Sequence, residues 1–409
     1  MLRSCTSSQS RYTLLRHAHS SAPSARDRTE RPAMRFSGIL AMVVLLALVL
    51  AACDDEDVAI EEPPGDDEEP DEPEPDEEPE DEDPADEDEP DDDEDEPDDD
   101  EPDDEDLVTI RMGWGVPVEE HKYVMMAFPE VAPNLGEEYE VEWLQFAGTA
   151  LGVQGLAAGT LDGATVGGLS SANGLAEGAD IVLTGAMIEE REICTTPYVV
   201  RADDDIEEPA DLEGRVRGTS AIGGSTHYIG RAEFEEAGLT EDEDYEVVEV
   251  PFAQGEEALR EGEIDVMELA SFFGIQALDS GDFETLFCVT DVVDPFVQLL
   301  QGFRGEFIEE HPEVVEAFQE DWQTVTEWVL DPDNRDDVIT ATHEATEMPE
   351  DLLEGFLLID DLDYNRPPQG GLDVEALQDN WDFFHEVGEL PELDVREHVD
   401  EEFTLEAED

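Results

Sequence analysis

Basic residues are scarce in this sequence. Its 409 residues include 19 Lys and Arg against 115 Asp and Glu, which gives a formal net charge of −96 at pH 7. The part that follows residue 106 has a single lysine, Lys122. A chain with this balance lacks the basic surface that sequence-independent binding of nucleic acids requires. We therefore expect no nucleic-acid partner.

Long hydrophobic runs are also missing, apart from residues 39–52, which are too few for a membrane-spanning helix. Arg35 precedes this run and directly follows Met34, and the run ends in Leu-Ala-Ala-Cys at Cys53. This ending resembles a bacterial lipoprotein cleavage box, so residues 34–53 are predicted to be a signal peptide with the lipid on Cys53. The alternative is a buried cysteine after a core helix. Residues 1–33 are interpreted as an extension upstream of the true translation start, because Met34 begins a complete signal by itself.

Residues 54–106 contain 38 acidic residues and no basic ones. Such a segment cannot bury enough apolar surface to offset its chain entropy, so we predict a disordered acidic linker that acts as a spacer. Calcium binding by this run is a less specific alternative. Residues 107–409 have 75 acidic and 12 basic residues, which suggests a halophilic acidic protein, or alternatively a secreted protein of low isoelectric point.

Cysteine is rare in the remaining part of the chain, where only Cys194 and Cys288 occur. Outside the cytoplasm these two residues could form a disulfide bond, and the alternative is two separate buried thiols. Neither has the paired spacing of a metal site, so no metal is predicted.

Strand-like and helix-like segments alternate throughout residues 107–409, which predicts an α/β fold with mainly parallel strands. A helix is expected at residues 123–131, soon after the first strand. Two helices near the C-terminus have apolar residues at spacings of three and four, which predicts core-facing stripes rather than a cofactor site. These stripes are Val314, Phe318, Trp322, Val325 and Val329, and Val374, Leu377, Trp381 and Phe384.

Catalytic motifs are absent as well. There is no Gly-x-Ser-x-Gly, no His-Glu-x-x-His and no Cys/His cluster, and the Gly-Gly-Ser-Thr at 223–226 lacks the lysine of a P-loop. No catalytic residue and no cofactor is predicted. Gly-rich loops with hydroxyls and aromatic residues follow several strands instead, and such loops favour binding of a polar or anionic ligand at helix N-termini. Ordinary N-capping is the alternative for Ser225 and Thr226.

Six short segments occur in an order that is typical of one family. They are residues 141–146, 156–163, 178–181, 211–214, 224–227 and 262–266, reading VEWLQF, LAAGTLDG, GADI, DLEG, GSTH and GEIDV. Together with His-Pro-Glu-Val-Val-Glu-Ala-Phe at 311–318, they resemble the solute-binding components of ABC importers of the nitrate, sulfonate, taurine and thiamine-precursor type. The resemblance covers nearly all of residues 107–405.

The resemblance implies a type II periplasmic-binding-protein fold with a ligand cleft between two lobes. Lobe 1 would comprise residues 107–197 and 297–409, and lobe 2 residues 198–296. Carried over by position, the ligand contacts would be Trp114, Gly115, Phe146, Gly148, Thr149, Gly168, Leu169, Ser170, Ser225, Thr226, His227, Met267, Glu268 and Ser271. Glu268 could instead be structural, and His227 could instead be bonded within its own lobe. Many family members have tryptophans and an Asp-Pro pair around positions 267–272, which this chain lacks.

These features predict a lipid-anchored, extracytoplasmic substrate-binding protein that is not an enzyme. As a monomer on the outer side of the cytoplasmic membrane, it would capture a small anionic or zwitterionic solute and deliver it to an ABC permease with its ATPase. Two alternatives are an enzyme on the same fold that resembles pyrimidine-precursor synthases, and a surface adhesin whose acidic linker is the functional part.

Overall fold

The computed structural model describes residues 107–115, 118–146, 148–359 and 362–407, which belong to the compact unit Pro97–Asp409. The predicted extension (1–33), signal peptide (34–53), lipidated Cys53 and acidic linker (54–106) lie outside the described residues. Among the helices of the described part, none has both the length and the apolar character needed to cross a bilayer.

The first sheet has five strands in the order β2-β1-β3-β10-β4. These strands are β1 (Val108–Trp114), β2 (Tyr139–Gln145), β3 (Gly163–Gly167), β4 (Ile181–Glu190) and β10 (Phe296–Arg304). Strand β1 pairs in parallel with β2 and β3, whereas β10 lies antiparallel between β3 and β4. Four strands therefore run in one direction, and only the strand that returns from the second sheet is reversed.

The second sheet repeats this arrangement in the order β7-β6-β8-β5-β9. Its strands are β5 (Pro197–Arg201), β6 (Val216–Thr219), β7 (Glu246–Glu249), β8 (Val266–Glu268) and β9 (Phe283–Cys288). Strand β6 is parallel to β7 and β8, and β5 is antiparallel to β8 and β9. The reversed strand is β10 in the first sheet and β5 in the second. Each is the first strand that the chain forms after it crosses from the other sheet. The predicted α/β fold with two mainly parallel sheets flanked by helices is confirmed.

Twelve α-helices occur among the described residues. They are α1 (Lys122–Ala127), α2 (Thr149–Ala157), α3 (Gly168–Ala176), α4 (Ser225–Glu236), α5 (Phe252–Glu261), α6 (Phe272–Asp279), α7 (Val289–Val292), α8 (Gly305–Glu310), α9 (Pro312–Leu330), α10 (Arg335–Thr346), α11 (Glu350–Leu353) and α12 (Val374–Glu386). The predicted helix at 123–131 is too long, because Pro129 has no N–H with which to continue α1 and begins a 3-10 turn, Pro129–Val131.

The apolar stripes of α9 and α12 are buried, as their spacing predicts. Phe318, Trp322 and Val325 of α9 have no exposed surface, and Leu377, Trp381 and Phe384 of α12 are at most 2% exposed. The two helices belong to separate hydrophobic clusters, and each cluster includes residues of the first sheet. Burial of large apolar side chains is the main favourable term in folding, so these stripes hold the C-terminal segment on the first sheet.

The scarce arginines are used at structural positions. Asp162 is 2% exposed and accepts hydrogen bonds from Arg111 (Nε–Oδ2 2.8 Å) and Arg304 (Nη2–Oδ1 3.1 Å), which come from β1 and β10. Burial alone would raise the pKa of Asp162, but the hydrogen bonds from both guanidinium groups hold this pKa below its ordinary value. This charge cluster joins the two strands that flank β3.

The two connections between the sheets are joined covalently. One connection runs from β4 to β5 through residues 191–196 and contains Cys194, and the other leaves β9 at Cys288 and leads to β10. A disulfide bond links the two cysteines, with their Cα atoms 5.6 Å apart. Because the bond closes a loop of 94 residues that contains the whole second sheet, it restricts the unfolded chain strongly.

Candidate functional site

The loop at the carboxyl end of β1 forms one wall of a small cavity. Trp114 is 9% exposed, and its carbonyl oxygen accepts a hydrogen bond of 2.9 Å from the backbone N–H of Phe146. The cavity has a volume of about 30 Å³ and is also lined by Gly115, Gly148 and Thr149. Five of the predicted contact residues therefore lie around one space. This space holds about one water molecule, so a solute would enter only after its walls separate.

Two helix N-termini lie side by side at this wall. The side chain of Ser170, in α3, donates a hydrogen bond of 3.1 Å to Oγ1 of Thr149, the first residue of α2. Both helices begin after a glycine, Gly148 or Gly167, which has no side chain to cap the free N–H groups. Helix α2 reaches this position because Gly152 packs directly on β3, where an added Cβ would lie 2.6 Å from the carbonyl oxygen of Thr165.

Gly168 and Leu169 lie deeper than the two hydroxyls. The carbonyl oxygen of Gly168 accepts a hydrogen bond of 3.0 Å from the indole N–H of Trp381, and Leu169 is 3% exposed. These two predicted contact residues thus attach α3 to α12 and the core. The side chain of Ser170, in contrast, lies beside Thr149, where α2 begins.

On the second sheet, the predicted contacts surround a buried carboxylate. Glu268 has no exposed surface, and its Oε1 accepts hydrogen bonds from Thr219 Oγ1 (2.8 Å), Ser220 N (2.7 Å) and Thr226 Oγ1 (3.1 Å). Its Oε2 has no hydrogen-bond partner and lies 3.9 Å from Nη2 of Arg217. Glu268 therefore organises the loop between β6 and α4, which corresponds to the structural alternative considered for it.

His227 is bonded within its own lobe. Its Nδ1 accepts a hydrogen bond of 3.2 Å from the backbone N–H of Gly223, so its Nε2 carries the proton and donates to Glu241 at 3.1 Å. Burial, and then the positive charge of Arg217, lower the pKa of His227 below its ordinary value. The neutral imidazole has a hydrogen bond at each ring nitrogen and therefore fixes the start of α4.

The other predicted residues of the second sheet differ in exposure. Ser225 is half-buried at the first position of α4, whereas Met267 has no exposed surface. Ser271 is 6% exposed, has φ +52° and donates its backbone N–H to the carbonyl oxygen of Thr195 at 2.8 Å. No hydrogen bond among the described residues joins this second group to the cavity at β1.

The two sheets are nevertheless in contact through the C-terminal segment. Arg231 of α4 donates to Glu389 Oε1 at 2.7 Å and to the carbonyl oxygen of Val387 at 3.2 Å, just after α12. The ring of Phe272, at the start of α6, lies 5.9 Å from that of Phe356. Helices of the second sheet are thus held against segments that pack on the first.

The buried charged pair at the start of α1 was not predicted from the sequence. Lys122 and Glu120 have no exposed surface; the Nζ of Lys122 lies 3.2 Å from Glu120 Oε2 and 2.7 Å from Thr165 Oγ1. The second oxygen of Glu120 accepts a hydrogen bond from the backbone N–H of Gly115, which fixes the loop after β1. Burial lowers the pKa of Lys122 below its ordinary value, although Glu120 opposes this shift. One feature of the sequence could have indicated this pair: Lys122 is the only lysine in a very acidic chain.

Glu119 brings a titratable group to the cavity at β1. Its half-buried side chain lines that cavity, and burial raises its pKa to about 7, although Arg366 opposes the shift. The negative charges of Glu120, Asp363 and Glu190 add to the increase. The protonation of the cavity wall therefore changes near neutral pH.

Comparisons with known proteins agree with this architecture. Residues 137–335 match the family model described as NMT1/THI5 like. A search of curated proteins found no significant match. The fold is similar to the periplasmic aliphatic sulphonate binding protein SsuA from Escherichia coli, with a TM-score of 0.58 and 18% identity over 71% of this chain and 97% of that chain.

Two further solved structures share the fold. The alkanesulfonate-binding protein SsuA from Xanthomonas axonopodis pv. citri, bound to MOPS, has a TM-score of 0.57 and 16% identity over 71% of this chain and 98% of that one. The periplasmic nitrate-binding protein NrtA from Synechocystis PCC 6803 has a TM-score of 0.54 and 12% identity over 73% and 87%. Residues 137–335 are therefore similar to the NMT1/THI5-like family, and the chain has the fold of these periplasmic binding proteins.

Proposed function

We propose that this protein is the substrate-binding component of an ABC importer. It captures a small anionic or zwitterionic solute, such as a sulfonate, nitrate, taurine or a thiamine precursor, and delivers it to a permease. The lipoprotein motif at Cys53 supports attachment to the outer side of the cytoplasmic membrane, with residues 54–106 as a spacer. A mature protein whose N-terminal residue is an acylated Cys53, identified by mass spectrometry, is the expected form.

The observation that carries this proposal is the pair of helix starts at the carboxyl end of the first sheet. Thr149 and Ser170 place two hydroxyls 3.1 Å apart beside uncapped N–H groups, and Trp114 and Phe146 supply apolar walls. Helix N-termini favour negative charge, and open α/β folds bind ligands at the carboxyl ends of their strands. The solute would bind here, on lobe 1.

Closure of the two lobes is the proposed mechanism. The second lobe would add Ser225 and the surrounding loop to the solute, with Thr226 and Glu268 keeping that loop in place. The connections at 191–196 and 289–295 would act as the hinge, and the disulfide bond would keep them together. A solute that contacts both lobes shifts the population towards the closed form, because it binds the open form less tightly.

A substitution at Thr149 tests the site. Thr149→Val keeps the shape of the side chain but removes the hydroxyl, so we expect it to weaken solute binding about tenfold, the loss of one hydrogen bond to a charged group. The measurement is isothermal titration calorimetry with ethanesulfonate, taurine and nitrate as probes.

Thr160→Val is the matched control. Thr160 follows the other end of α2 and its hydroxyl donates to the carbonyl oxygen of Gly155 at 3.2 Å, away from the cavity. This variant is expected to bind as the unmodified protein does. If none of the three probes binds, or if both valine variants retain full affinity, the proposed site is wrong.

A further inference from the structure

The small cavity at β1 has one charged side chain in its wall, and that side chain is acidic. Among the described residues that line the cavity, Glu119 is the only one that carries a formal charge, and none is an arginine or a lysine. The two helix N-termini at this wall contribute only partial positive charge. A carboxylate as the only full charge favours a positive group in the part of the cavity that it faces.

The carboxylate of Glu119 forms no hydrogen bond and no ion pair with another described residue. The two cations nearby are paired with other carboxylates. The Nζ of Lys122 lies 3.2 Å from Glu120 Oε2, and the Nη2 of Arg366 lies 3.0 Å from Asp363 Oδ2. An ionised carboxylate at the wall of a cavity, without a cation of its own, is stabilised by a cation that enters the cavity.

Negative charge predominates around Glu119. Burial is the largest cause of its raised pKa, and the carboxylates of Glu120, Asp363 and Glu190 raise this pKa further, whereas Arg366 lowers it. These surroundings oppose the ionisation of Glu119 in the free protein. A positive group in the cavity has the opposite effect, because it stabilises the ionised carboxylate and lowers its pKa. Binding of a cation and loss of the proton from Glu119 are therefore linked.

Aromatic side chains line the same cavity as Glu119. Trp114, the last residue of β1, is 9% exposed, and Phe146, which follows β2, is half-buried. The faces of aromatic rings attract ammonium groups, and this attraction is stronger where water is excluded. Thr149, at the start of α2, also lines the cavity. The site thus offers a helix N-terminus to a negative group, and a carboxylate with two aromatic rings to a positive one.

We propose that Glu119 determines specificity by selecting solutes that carry a positively charged group, such as a protonated amine, in addition to their acidic group. The ionised carboxylate binds the positive group beside Trp114 and Phe146, and the acidic group lies at the N-termini of α2 and α3. This inference rests on the proposed function, because it concerns the same solute site, and it narrows the solute to a zwitterion. Nitrate and simple sulfonates, which have no positive group, bind poorly at such a site.

Capture of such a solute depends on pH near neutrality. The pKa of Glu119 is about 7 in the free folded protein, so about a tenth of the molecules have an ionised Glu119 at pH 6 and about nine tenths at pH 8. A positive group that binds only the ionised carboxylate therefore binds about tenfold more tightly at pH 8 than at pH 6. At the lower pH its binding releases a proton from Glu119.

Two pairs of probes that differ only by an amine test the inference: taurine with ethanesulfonate, and β-alanine with propionate. Calorimetry at constant ionic strength measures their binding at pH 6 and pH 8. At pH 8 the member of each pair that has the amine is expected to bind about tenfold more tightly, the contribution of one hydrogen bond to a charged group. In Glu119→Gln this preference is expected to be lost, and the affinity for taurine is expected to be the same at both pH values.

Glu137→Gln is the matched control. Glu137 is exposed, precedes β2 and does not line the cavity, so this variant is expected to keep both the preference for the amine and the dependence on pH. Equal binding of the two members of each pair would overturn the inference and leave the proposed function intact. Unchanged binding of taurine and β-alanine by Glu119→Gln would also overturn it. If none of the four probes binds, both the inference and the proposed function are wrong.

Discussion

Lys122→Met is expected to reduce the free energy of unfolding by about 3–5 kcal/mol, the cost of leaving a buried charge without its partner. Glu120 has no exposed surface, and after the substitution its Oε2 would keep only the hydroxyl of Thr165, at 2.6 Å, as a donor. Unfolding in urea, which does not screen charges, measures the change. Methionine fills much of the volume of the lysine side chain, so the lost charge dominates the effect.

Two further variants show whether a loss of stability in Lys122→Met comes from the unpaired charge of Glu120. In the double variant Glu120→Gln/Lys122→Met no charge is left unpaired, so we expect it to be more stable than Lys122→Met alone. Arg396→Met breaks an exposed ion pair with Glu375, whose nearest atoms are 3.8 Å apart, and is expected to cost less than about 1 kcal/mol. A Lys122→Met variant as stable as Arg396→Met would show that the buried pair contributes little.

Glu119→Gln is expected to change how stability depends on pH. The pKa of Glu119 is raised from 4.5 to about 7 in the folded protein, so between these values the folded state keeps a proton that the unfolded state loses. The stability that this proton provides is complete below pH 4.5 and is lost as the pH rises to 7. Glutamine does not titrate, so the variant should gain about 2–3 kcal/mol relative to the unmodified protein between pH 4.5 and pH 8; the lower value allows for the exposed part of the side chain.

The measurement is the difference between the two urea unfolding curves across this pH range, because the many other carboxylates affect both proteins equally. Glu137 is exposed, so Glu137→Gln is the control for the effect of the substitution itself. A difference for Glu119→Gln that does not change with pH would mean that folding does not raise the pKa of Glu119.

The fold could be predicted from the sequence because its signals are local or periodic. The stripes on α9 and α12 repeat at helical spacing, so their burial followed from residues a few positions apart. The end of α1 also depends on a local feature, because Pro129 has no N–H to continue the helix that is predicted at 123–131.

The charged part of the site could not be predicted in this way, because its partners are distant in sequence. Lys122 meets Thr165, 43 residues away, and Arg366 contacts Val118 across 248 residues. Glu268 illustrates the same limit: whether it faced the cleft or its own lobe depended on Thr219 and Ser220, which reach it from another strand and loop. The spacing of apolar residues predicts which face of a helix or strand a residue lies on, but it does not predict which distant residue that side chain contacts.

The burial of the only lysine has a practical consequence for chemical labelling. Acylating reagents and amine crosslinkers react with exposed neutral amines, and Lys122 has no exposed surface. In the folded protein such reagents would reach only the terminal α-amino group, and an acylated N-terminus would remove even that target. Incorporation of a label at Lys122 would therefore report directly on opening of the segment next to β1, with no background from other side chains.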